Sequence, residues 1–144
     1  MSQLLKSVKA AVAVTLIAAA SNTDTDTVIY DMSEFDGIMF ITPITVETNT
    51  GTAKLEVFGA PGNAVDTGAV SQGSVTATST GANLAGTAIV VDVVKPLKRY
   101  VYATITSGVA NMTFGPTIAI QYMAHNKPTV QDATVFASTV AVGV

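Results

Sequence analysis

The chain has 144 residues, no cysteine, 12% charged residues and a net charge of −3. That length suits one domain with its own core, while the missing cysteine excludes disulfides, thiolate metal sites and a cysteine nucleophile. Seven Lys and Arg are too few for the dense basic surface that phosphate backbones require, so no nucleic acid is expected as a partner.

The 49% apolar share is mostly Ala and Val, and the polar share is led by 21 threonines. Val and Thr are β-branched and fit a pleated, half-buried surface better than a helix. A free soluble monomer normally carries about 25% charged residues. Interface cores are depleted in charge in the same way, so the chain reads as part of an assembly.

Along the chain, Lys6 and Lys9 precede the apolar run Ala10–Ile17, followed by Ala18-Ala19-Ala20-Ser21. This resembles a secretory signal with an A-x-A cleavage site, which would suit a secreted or periplasmic adhesin-like module. The reading adopted here is a mature first strand closed by the polar stretch Ser21–Thr27. The run is too short to span a bilayer, which takes about 20 apolar residues, and no membrane partner is expected. Val28-Ile29-Tyr30 reads as a short strand, and Asp31–Gly37 as a turn rich in Asp, Ser and Gly. Ile38–Val46 is the most apolar strand, in which Pro43 predicts a bulge or an edge position.

In Thr52–Phe58 the alternation is clean: Ala53, Leu55 and Val57 share one face, Lys54 and Glu56 the other. Residues 59–73 read as a loop, Val75–Thr78 as a weak strand, Ala88–Val94 as a strand stopped by Lys95-Pro96, and Arg99–Thr106 as an alternating strand. Gly108–Asn111 turns the chain into Met112–Met123. Some eight strands with no helix between them predict an antiparallel β-sandwich or jelly roll. The expected divisions are 1–27, an N-terminal strand and polar link; 28–124, the sandwich core; and 125–144, a tail. The tail carries Val135, Phe136 and Val140, and it either closes a sheet edge or reaches onto a neighbouring subunit.

Chemistry is sparse. The one histidine, His125, sits in a polar link beside Asn126 and Lys127, with no G-x-S-x-G elbow elsewhere to partner it. One histidine without cysteine cannot build a zinc site. Asp24, Asp26 and Asp31 could meet a hard cation, but Asp/Thr repeats are commonly solvated links. Asp31, Glu34 and Asp36 lie in a turn where capping is the ordinary role. No enzyme activity and no cofactor are expected. Lys95, Lys98 and Arg99 are the one basic cluster, and a protein contact or solvated strand start suits them better than a phosphate site.

The order of elements resembles the decoration, or cement, proteins of tailed-phage heads. The residues carrying the likeness are Thr23–Thr27, the turn Asp31-Met32-Ser33-Glu34-Phe35-Asp36-Gly37, the apolar Ile38–Ile41, the strand Thr52–Phe58 and Lys98-Arg99-Tyr100-Val101-Tyr102-Ala103. The likeness covers residues 1–128. The chain departs from the pattern at Gly59–Gly73, which replaces an acidic, Trp-bearing loop, and in the tail 129–144. The resemblance implies a jelly-roll virion protein on the capsid exterior, bound to the phage major capsid protein and self-associating as a dimer or trimer. Its contacts would involve Lys95, Lys98, Arg99, Val135, Phe136 and Val140. A tail or neck protein of similar build is the alternative within the same class.

Overall fold

A computed structural model describes residues 4–65 and 68–139. After a 3-10 turn at Leu4–Lys6 come β1 (Lys9–Val14), β2 (Ile17–Ala20), β3 (Thr23–Asp26), β4 (Tyr30–Asp31), β5 (Phe35–Val46) and β6 (Thr52–Ala60). The remaining strands are β7 (Val70–Thr78), β8 (Thr87–Val94), β9 (Tyr100–Gly108), β10 (Met112–Phe114) and β11 (Thr117–Ala124).

The pairing is antiparallel throughout and forms two sheets. The eleven strands fill eight ladder positions, because three long strands are each broken in two. β1 and β2 run on along β11 and β10. β3 and β4 share one side of β9, and β10 and β11 share one side of β5. Sheet one therefore reads β8, β5, β10/β11, β1/β2, and sheet two reads β3/β4, β9, β6, β7. Counted by ladder position in chain order, the sheets are 6-3-8-1 and 2-7-4-5. That interleaving is the double Greek key of a jelly roll.

Each strand enters the core by its alternation. In β6, Ala53, Leu55 and Val57 are 0% exposed, as the sequence pattern requires. Facing them across the sandwich are Ile38, Phe40, Ile44 and Phe114, also almost wholly buried. Tyr30 meets Phe40 edge-on, with ring centroids 5.9 Å apart, a geometry favoured by the ring quadrupoles. The core also holds one polar pair: the Thr42 and Thr117 hydroxyls, on buried residues, share a 2.8 Å hydrogen bond.

Several expectations need correction. The polar stretch 21–27 is not merely a link, since Thr23–Asp26 pairs with Thr104–Ser107 of β9. Residues 1–27 also reach the core itself, where Ala11 and Ala13 are 4% and 2% exposed; the stretch weighed as a signal is thus strand β1/β2 of sheet one. The loop expected at 59–73 is shorter, as β6 runs to Ala60 and β7 begins at Val70. Pro43 does not mark an edge, but a bulge does lie two residues on, where β5 fits Thr45 between the pairs Ile44–Phe114 and Val46–Thr113. β5 is flanked on both sides, and its register with β8 runs unshifted from Gly37 to Ile44. The missing N–H falls opposite the break between β10 and β11, where the Pro43 carbonyl accepts a hydrogen bond from Gly115 N at 2.9 Å. The partner strand carries the interruption that Pro43 requires.

The threonine pair gives a direct test of the core. Thr42→Val leaves the Thr117 hydroxyl buried without a partner and is expected to cost about 1–3 kcal/mol. Thr42→Val/Thr117→Val removes both groups and should recover most of that loss, as read by urea unfolding.

Candidate interaction surface

The two sheets differ in the chemistry of their outer faces: sheet two is polar apart from one aromatic pair, Phe58 stacked on Tyr102 with ring centroids 5.5 Å apart, and sheet one is mostly apolar. On sheet two the outward rows are Asp24–Thr106–Lys54–Thr76 and Asp26–Thr104–Glu56–Ser74. These groups satisfy one another. Thr106 and Thr104 hydroxyls donate to Asp24 and Asp26 at 2.7 and 2.6 Å. Lys54 Nζ lies 2.8 Å from Glu56, which also accepts the Ser71 hydroxyl at 2.7 Å. Glu56 titrates below the usual carboxylate range, chiefly because of Lys54.

On sheet one the matching rows are Val12–Ile118–Ile41–Val90 and Ala10–Ile120–Met39–Asp92. All point away from the core, since their neighbours Ala11, Phe40, Thr42, Ile89, Val91, Thr117 and Ala119 are the buried ones. The four-position face is apolar apart from Asp92. Even that carboxylate is held within the chain, for Tyr122 lies over Gly37 and donates its hydroxyl to Asp92. A side chain at position 37 would strike the Tyr122 ring, so glycine is what lets the ring cross β5. Burial, followed by the hydrogen bond to Asp92, pushes the Tyr122 phenol up to about 12.

At one end of the sandwich, Lys95, Lys98 and Arg99 do come together with Met32, Ser33, Phe35, Asp36, Pro96 and Leu97, around an open cavity of about 430 Å³. Arg99 is already engaged there. Its Nε and Nη2 donate to the two Asp31 oxygens at 3.0 and 2.8 Å, and its guanidinium lies 5.3 Å from the Tyr100 ring centroid. Arg99 holds the Asp31 carboxyl well below its ordinary value, and Asp31 in turn accepts Ser33 N at 2.9 Å, capping the turn. His125 Nε2 sits 2.9 Å from Asp36 Oδ1 at the surface. Asp24, Asp26 and Asp31, weighed as cation ligands, lie in separate pairings, and among the described residues no three His, Cys, Asp or Glu converge.

The tail takes the first of its two expected roles. Gln131 accepts Ala10 N at 2.9 Å and donates to the Val8 carbonyl at 2.8 Å, and Thr134 accepts Val12 N at 2.9 Å. Side chains thus satisfy the outer edge of β1. Beyond this point Val135 is half-buried and Phe136 is 104% exposed; Val140 lies outside the described residues. The apolar rows of sheet one escaped the sequence reading, because they exist only once four strands are in register.

No protein-family model matches the sequence, and neither does any curated protein sequence. Among solved structures, the PBSX exported protein XepA matches all of this chain at a TM-score of 0.58 and 13% identity. The chain spans 45% of the length of XepA. A protein of the Bacillus endospore appendages, a family of disulfide-linked pili, matches at 0.44 and 20% identity over 84% of this chain and 90% of its own. Eiger TNF from S. frugiperda matches at 0.43 and 8% over 88% and 99%. At 13% identity the likeness to XepA is one of fold.

The Asp31–Arg99 pair is exposed, so solvent screens it and its contribution to stability is small. Because the folded carboxyl titrates below its unfolded value of 3.8, the pair stabilises above that pH and the effect is lost as pH falls beneath it. Asp31→Asn is therefore expected to lower stability slightly at pH 7, with the gap to the parent closing below pH 3.8 in paired denaturation curves.

Proposed function

We propose that this protein is a structural component of a tailed-phage virion that decorates and stabilises the head by binding the outer surface of the major capsid protein shell. The observation that carries the reading is the apolar outer face of sheet one, Val12–Ile118–Ile41–Val90 with Ala10, Ile120 and Met39 beside it. A contiguous apolar face of this kind, half-buried and edged by the exposed Val90, marks an interaction site rather than a solvent face. Two further points support it: the order of sequence elements resembles decoration proteins, and the fold is shared with XepA of the phage PBSX.

On this reading the protein works by contact alone, without covalent chemistry or cofactor. Each copy covers modest area, and the stabilisation accumulates through the repetition of the shell and the high local concentration of sites. The cavity-lining Lys95 and Lys98 offer charge at the rim, where it steers encounter more than it adds affinity.

The test is co-sedimentation of purified protein with heads of the phage that encodes it, followed by cryo-electron microscopy of the complex. Wild type is expected to saturate the outside of the shell. Ile41→Lys and Ile118→Lys should weaken binding by roughly tenfold or more, a loss of about 1.4 kcal/mol, whereas Thr106→Lys on sheet two should leave it unchanged. Density in the tail or neck, or no binding to heads, would overturn the assignment.

A further inference from the structure

A sandwich of two open sheets has four edges, each a row of backbone donors and acceptors able to template another strand. Three are closed here by identifiable means. The β1 edge is capped by Gln131 and Thr134, and Val28 N donates to the Ala13 carbonyl at 3.1 Å. The β3/β4 edge is split into pieces of four and two residues and carries Asp24 and Asp26. The β7 edge is polar and shifts register opposite Val57 and Phe58, where Gln72 is left unpaired with β6.

The β8 edge carries one charge, Asp92, but among the described residues it has no cap, break or register shift. All eight residues from Thr87 to Val94 keep unshifted register with β5. The strand contains no Pro, Gly or Lys, and its outward Val90 and Val94 are 45% and 53% exposed. Among the described residues, no side chain or loop hydrogen-bonds the backbone of Ala88–Val94.

We propose that a second copy of this chain pairs with β8, antiparallel about a two-fold axis, joining two copies of sheet one into a continuous sheet. Three features select a second copy over another occupant. With one open edge per chain, edge pairing closes at a dimer, as an isologous contact must. The strand also matches itself in length and in β-branched character. The one charge is accommodated as well: with Val90 on the axis, Asp92 lies opposite the partner's Ala88, so like charges do not meet. The joined sheets place the apolar rows end to end, so the face doubles without a seam. The inference goes beyond the shell-binding reading and does not require it.

Sedimentation equilibrium of the full chain is expected to give twice the 14.7 kDa chain mass. Val90→Lys/Val94→Lys, both at exposed positions, should weaken association by roughly tenfold or more while circular dichroism and melting stay near the parent. Because the chain lacks cysteine, Val90→Cys supplies a single thiol that should give a disulfide dimer on mild oxidation, and Thr76→Cys on β7 should not. That pair of variants decides the matter even if the lysine variant fails to fold. A monomer at about 100 μM, far above the dissociation constant of a specific dimer, would overturn the proposal. So would equal cross-linking at both sites, or association lost in Phe136→Ser but kept in the lysine variant, which would assign the contact to the tail. A dimer that ignores phage heads removes the shell reading and leaves the edge pairing intact; a strictly monomeric protein that coats heads does the reverse.

Discussion

Every open β-sheet ends in a row of unpaired backbone groups, and this jelly roll is organised by how each row is satisfied. The tail shows the physics most clearly. Had residues 129–134 added a strand to β1, the open edge would only have moved outward by one strand. Instead Thr129, Gln131 and Thr134 use side-chain atoms to meet the backbone of residues 8–12. A side-chain cap satisfies the inner row and presents no new ladder, so the sheet ends there. Glu47 acts comparably at a loop: its carboxylate accepts Leu84 N and Ala85 N at 2.9 and 2.8 Å, together with the Ser79 hydroxyl, fixing the chain just ahead of β8.

β5 ties the edges to the faces. It pairs on both sides and is apolar on both surfaces, a pattern ordinarily found in strands sandwiched between two layers. One surface has its layer in sheet two; the other has half-buried Met39 and Ile41. Completing the burial of such a side chain is worth on the order of 1 kcal/mol at about 25 cal/mol per Å², so a row of them amounts to several kcal/mol in favour of contact. Asp92, tied down by Tyr122, adds little opposition.

Much of the architecture was legible because burial imposes alternation. Ala53-Lys54-Leu55-Glu56-Val57 and Tyr100–Thr106 announce their inner faces by period two, and they form the β6–β9 centre of sheet two. Thr23-Asp24-Thr25-Asp26 hid for the converse reason. Both its faces are polar and Asp disfavours strands, so only its strict Thr/Asp alternation hinted at a ladder in which Asp24 and Asp26 meet Thr106 and Thr104. The Gly115-Pro116 break in the last long strand and the Pro43 opposite it were each visible, but their compensation across the sheet needs the register. Likewise nothing near Lys98-Arg99 in the sequence signals that Asp31, 68 residues earlier, pairs with Arg99. Separations of that size carry no local signal.

The few charges are unevenly distributed over the surface. Charged side chains gather on the outer surface of sheet two and around the end formed by Asp31, Asp36, Lys95, Arg99 and His125. Sheet one is left with Asp92 on its outer rows. An evenly thinned surface would give a molecule no preferred orientation against a partner; a surface depleted on one side gives it one. On the proposed shell the apolar rows would face the capsid and the Asp24–Thr106–Lys54 rows would face water. The Lys95–Arg99 end would then lie at the perimeter, where an ion pair such as Asp31–Arg99 keeps its hydration and no buried charge has to be compensated.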